Sequence, residues 1–116
     1  YKEASLYVSV SLFEGFGLTL LEAMRMGCPV LCSNISTFKE IFKNSCMFIN
    51  PTNIENIKNK LERVLKSKKE QKKLIQKGFS TVSKYNWDRC IFETANIYKK
   101  ILNGKKKFNF SSNNKL

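Results

Sequence analysis

The sequence predicts an α/β fold with about three parallel strands, flanking helices and a helical carboxyl-terminal half. Three observations carry this. Leu6-Tyr-Val-Ser-Val-Ser-Leu12 is rich in β-branched and aromatic residues and reads as a mostly buried strand. Glycines at 15 and 17 follow it, and Leu20, Ala23 and Met24 then recur at helical spacing. From Thr52 onward apolar residues keep a helical period to Leu102, interrupted by residues that start helices.

In chain order, the first strand leads through Glu14-Gly-Phe-Gly17 into a helix over Thr19–Met26, which Gly27 and Pro29 stop. Pro29-Val-Leu-Cys-Ser33 reads as a second strand, parallel to the first with that helix as crossover. A short helix is expected over Phe38–Phe42, then a third strand over Cys46–Ile49, closed by Asn50-Pro51. Thr52-x-x-Glu55 has the form of a capping box before an apolar face of Ile54, Ile57, Leu61, Val64 and Leu65. Ser67-x-x-Glu70 repeats the signal, so a second helix should start near Lys68 with Ile75, Phe79 and Val82 as its stripe. Lys68, Lys69, Lys72, Lys73 and Lys77 form its other face, most simply a solvated one. Asn86 can cap a third helix with Trp87, Ile91, Tyr98 and Leu102 along one side, Trp87 as a packing anchor.

The glycine turn lies where a strand ends and a helix begins, the edge at which open α/β sheets bind ligands. Backbone N–H groups at a helix start suit a phosphate, and glycines let the backbone approach it. Glu14 and Glu22 flank that anion site. Carboxylates there are suited to accept hydrogen bonds from hydroxyls beside a phosphate, as on a sugar nucleotide. Thr19-x-x-Glu22 equally fits a capping box, in which Glu22 only satisfies a backbone N–H.

At 116 residues the chain is one small domain or part of a larger one. It opens on Tyr1-Lys-Glu-Ala-Ser, straight into a strand, so it is expected to begin partway through a fold. Net charge is +12, from 18 lysines and three arginines against nine acids. Scarce arginine argues against sequence-specific nucleic-acid binding, and lysine with asparagine in this excess is more simply a coding bias on solvated faces. Loose attraction to an anionic membrane fits better than nucleic acid. No apolar run reaches transmembrane length, and no signal-peptide pattern is present. The four cysteines form no Cys-x-x-Cys pair and histidine is absent, so no zinc site is expected. Thiols at 28, 32 and 46, in or beside buried strands, suit a reducing cytoplasm.

Glu14-Gly-Phe-Gly, Leu20-Leu-Glu-Ala-Met24 and Gly27-Cys-Pro-Val30 together resemble the signature of retaining glycosyltransferases of the GT-B fold, group 1 or family-4 type. The resemblance runs from about Ala4 to Leu102. It implies that residues 1–103 are the carboxyl-terminal portion of a Rossmann-like nucleotide-sugar domain. Residues 104–116, basic and polar, would be a disordered tail. It implies that Glu14 contacts the donor sugar as the catalytic glutamate, and that Glu22 contacts the ribose. Backbone amides of Gly15, Phe16, Gly17, Leu18 and Thr19 would hold sugar and diphosphate. Thr19 stands where proline is common, a departure compatible with a helix start. The implied donor is a UDP- or GDP-sugar, with no cofactor and no metal. The implied acceptor is a glycan or lipid-linked, held by an amino-terminal GT-B domain outside this chain. The enzyme would be cytoplasmic or peripheral at the inner membrane face, and residues 1–116 alone inactive. The alternatives are a sugar-nucleotide-binding module without chemistry and a truncated structural or interaction fragment.

Overall fold

The computed structural model describes residues 1–104, which fall into two compact units, Tyr1–Lys84 and a second beginning at Tyr85. The first unit holds β1 (Tyr7–Ser9), α1 (Leu18–Arg25), β2 (Val30–Ser33), α2 (Ser36–Phe42), β3 (Met47–Ile49), α3 (Ile54–Lys66) and α4 (Lys68–Val82). The strands form one parallel sheet in the order β1-β2-β3, with Val8 beside Leu31 and Leu31 beside Met47. The second unit contains α5 (Trp87–Leu102). The expected tail, Gly104 apart, lies outside the described residues.

The central strand has all four residues buried, as expected of a parallel strand covered on both faces. Leu31, Ile49, Val64 and Leu74 make a core on which Leu6, Met47, Ile57 and Leu61 pack. The first strand is shorter and more open than its composition suggests. Pairing is confined to Tyr7–Ser9, on the one side where β1 meets β2, and Val8, Val10 and Leu12 are exposed.

Helix boundaries follow local hydrogen bonding. Gly27, at φ 71°, ends α1 with Cys28 N–H donating to Ala23 O and Gly27 N–H to Met24 O, the two bonds of a Schellman motif. Ser67 and Asn86 cap α4 and α5 as expected, accepting from Glu70 N–H and Arg89 N–H. The α3 cap is Asn53 rather than Thr52. The Asn50 side chain accepts from both the N–H and the hydroxyl of Thr52, which leaves Asn53 to accept from Asn56 N–H.

Two further expectations are corrected. The buried row of α4 is Leu74, Gly78 and Val82, with Phe79 about half exposed. Gly78 lets α4 close on α1, for a Cβ there would stand 3.2 Å from Met24 Cγ. Trp87 is 68% exposed, and α5 buries none of its residues.

Lys43 ends α2 at φ 45°, ψ −103°, a conformation L side chains rarely adopt. Replacing it with glycine removes the Cβ strain and costs some chain entropy. Lys43→Gly is therefore expected to raise stability by about 1 kcal/mol, read from urea denaturation.

Candidate functional site

The loop between β1 and α1 carries the glutamate and glycine block, at the carboxyl edge of the sheet. Gly17 is the N-cap of α1, at φ 96° and ψ 50°, and no side chain caps this helix. Its carbonyl takes the N–H of Leu20 at 3.1 Å and of Leu21 at 3.4 Å. Leu18 and Thr19 are thus the first two helical residues. Among the described residues no acceptor meets their N–H groups, and the first turn holds no acid. Their N–H groups are left for an outside acceptor at the positive end of the helix dipole.

This placement removes the capping-box alternative for Glu22. A capping box needs Thr19 as N-cap and Glu22 three residues on. With Gly17 as N-cap, Glu22 lies beyond the first turn, exposed, and accepts a hydrogen bond from the Tyr1 hydroxyl at 3.2 Å.

The two glycines differ in what surrounds them. A Cβ on Gly17 would come within 2.8 Å of Phe38 Cε1 and 3.3 Å of the Phe42 ring. Gly17 is therefore demanded by its backbone conformation and by the α2 phenylalanines, so its replacement cannot isolate ligand binding from folding. A Cβ on Gly15 would meet nothing within 4 Å.

Glu14 is half-buried and accepts from Ser11 Oγ at 3.0 Å. Ser11 Oγ lies 3.3 Å from Ser9 Oγ, and buried Ser33 Oγ donates to Ser9 O at 3.4 Å. The Ser9 and Ser11 hydroxyls thus lead to the Glu14 carboxylate, and the Ser33 hydroxyl of β2 braces the Ser9 backbone. Sequence reading passed over Ser9, Ser11 and Ser33 because it took the first strand as an apolar unit. The available signal was three hydroxyls at the ends of two otherwise apolar strands, where burial of a polar group requires a partner. Phe16 and Leu18 are partly exposed beside the turn, and Thr19 is exposed.

Cys28, Cys32 and Cys46 are buried and reduced, and Cys90 is exposed. Cys32 Sγ donates to Cys46 Sγ at 3.2 Å, and that bond, then burial, pushes the Cys32 thiol far up. A thiol held protonated makes a poor nucleophile. Among the described residues, no three of His, Cys, Asp or Glu gather as a metal site, and no helix is long and apolar enough to cross a membrane.

Comparison with known proteins then adds a family to the geometry. Residues 1–81 match the family described as Glycosyl transferases group 1. The chain is 30% identical over 99 residues to O-antigen chain mannosyltransferase B of Escherichia coli, covering 85% of this chain and 26% of that protein. It is 28% identical over 103 residues to GDP-mannose:cellobiosyl-diphosphopolyprenol alpha-mannosyltransferase of Komagataeibacter xylinus, covering 86% of this chain and 26% of that one. Sucrose-phosphate synthase from Thermosynechococcus elongatus shares the fold with TM-score 0.79 at 23% identity, over 87% of this chain and 26% of its own. The chain thus spans about a quarter of the length of each of these three proteins.

Proposed function

The chain belongs to the family Glycosyl transferases group 1, and we propose that its glycine turn holds the diphosphate of a nucleotide-sugar donor during retaining sugar transfer. The single observation that carries this is the uncapped α1 start, where two N–H groups lack an acceptor among the described residues, behind the sterically open Gly15. Gly15, Phe16, Gly17, Leu18 and Thr19 supply the phosphate-facing backbone. Glu14 orients the donor sugar through its hydroxyls, and Glu22 takes the ribose. A GDP-sugar fits relatives named as mannosyltransferases, and a UDP-sugar presents the same diphosphate. The reading gives the departing diphosphate's charge to the helix end and to basic groups outside this chain, without a metal.

A quarter-length chain leaves the acceptor to the rest of such an enzyme. We place a glycan or lipid-linked acceptor on an amino-terminal domain, so that residues 1–116 alone do not transfer sugar. Chemistry between two domains also excludes water when they close. The enzyme would work in the cytoplasm, where free thiols such as those of Cys28, Cys32 and Cys46 persist.

Gly15→Val tests the turn. Because its new side chain enters open space, melting temperature should stay within about 2 °C of the native value. Affinity for GDP-mannose and UDP-glucose, tested separately by calorimetry, should fall by roughly tenfold or more for whichever binds, equivalent to about 1.4 kcal/mol. A variant that binds that donor as the native chain does would overturn the assignment.

A further inference from the structure

We propose that the outer face of α4 docks the protein on an anionic lipid bilayer. At 3.6 residues per turn, Lys69, Lys73 and Lys77 line up in one row and Lys68 and Lys72 in a second beside it. The core side of the same helix carries Leu74, Gly78 and Val82, so the lysines lie opposite it. Four of the five are exposed and Lys77 is half-buried.

Among the described residues, no acid balances this face. The one acid of α4, Glu70, pairs with Arg63 of α3 at 3.4 Å. Elsewhere cations do find acids: Lys66 with Glu62, Lys58 with Glu55, Arg89 with Glu93. None of the five α4 lysines has an ion pair among the described residues. Lys68–Lys72, Lys69–Lys73 and Lys73–Lys77 are like-charge pairs at i,i+4, which destabilise a helix. Lys68 and Lys69 also stand in the first turn, at the positive end of the helix dipole. Both costs are relieved by an external polyanion.

A bilayer fits this face better than a nucleic acid. Lysine is a compact point charge that gains little from fixed geometry, and α4 has no arginine for bidentate or stacked contacts. A single convex helix face offers no groove for a strand, and its one aromatic, Phe79, cannot form a stacking platform. Mobile anionic headgroups can gather under a lysine row about 12 Å long. Phe79, though half-exposed, has its ring tip beside the Gly27 turn that ends α1, so the attraction rests on the lysines. The proposal is independent of donor binding and would survive the failure of the glycosyltransferase site.

The test is co-sedimentation of the full chain with phosphatidylcholine vesicles, with and without phosphatidylglycerol, at low and high salt. The native chain should bind the anionic vesicles only, and more weakly in high salt. Lys69→Gln, Lys73→Gln and Lys77→Gln combined should weaken binding by roughly a hundredfold, at about fivefold per lysine. A control with Lys58→Gln, Lys60→Gln and Lys66→Gln removes the same charge from α3 and should change it only a few-fold. Circular dichroism checks that both variants fold, and an unfolded α4 triple is replaced by Lys72→Gln with Lys73→Gln, expected at roughly twenty-five-fold. Equal losses in the α3 and α4 variants would reduce the effect to net charge and overturn the proposal. So would absence of vesicle binding, or tighter binding of a DNA oligonucleotide lost in the same α4 variant.

Discussion

Gly17→Val is expected to cost the fold roughly 3–5 kcal/mol, while Gly15→Val two residues away costs almost nothing. Two separate effects meet at Gly17. Its φ of 96° and ψ of 50° lie in the left-handed region, where a β-branched side chain crowds its own backbone. Its Cβ would also stand 2.8 Å from Phe38 Cε1. Neither ring can yield easily. Phe38 and Phe42 are fully buried and pack edge to face, with centroids 5.6 Å apart. Overpacking and backbone strain each contribute about 1–3 kcal/mol, and a domain of this size has only about 5–15 kcal/mol in total. Gly17→Ala meets the same contact with less bulk and should lie between. The measurement is urea denaturation of the three variants beside the native chain. A Gly17→Val chain within about 1 kcal/mol of native stability would show that α2 does not close on the turn.

The fold was legible wherever one chemical group decides a boundary. Gly27 before Pro29 permits little besides the end of α1, and the parallel β1-α1-β2 crossover follows from it. Ser67 and Asn86 each stand alone at the start of an apolar row, so the cap was unambiguous. The Asn50–Asn53 segment was not, because it holds several groups able to cap. Which one does is decided by the Asn50 side chain binding Thr52, a competition that spacing does not encode. The α4 stripe was misplaced for a related reason. Gly78 has no hydropathy signal, yet its lack of a side chain lets Met24 approach and brings the Leu74–Gly78–Val82 row inward. At the candidate site the glycine turn and both glutamates stood out, because a turn between a strand and a helix was readable from the pattern. The Thr19 capping box misled because a left-handed glycine starts the helix two residues earlier. Ser11 stayed hidden because a hydroxyl matters only through what it reaches, and here it reaches Glu14.

Glu14 and Glu22 should separate cleanly when the proposed site is tested in the complete enzyme. Glu14→Gln keeps the size of the side chain and an oxygen for the Ser11 hydroxyl, so its melting temperature should stay within about 2 °C of native. It loses the charge. A hydrogen bond to a charged group contributes about 1.5–3 kcal/mol and one between neutral groups about half that or less. If the bond to the donor hydroxyl tightens in the transition state, kcat/KM should fall by roughly ten- to a hundredfold, with kcat carrying most of the loss. Glu22→Ala should behave differently. Having no cap to supply, it should cost less than about 0.5 kcal/mol of stability, since the bond it gives up to Tyr1 is an exposed one. Its loss should appear in nucleotide affinity, about tenfold for a ribose hydroxyl left unpaired, and in KM before kcat. Steady-state kinetics, nucleotide titration and melting curves on both variants read the three quantities independently. An early-melting Glu14→Gln enzyme with normal turnover would make the Ser11–Glu14 bond a brace for the loop. The sugar would then have to be held by residues outside this loop.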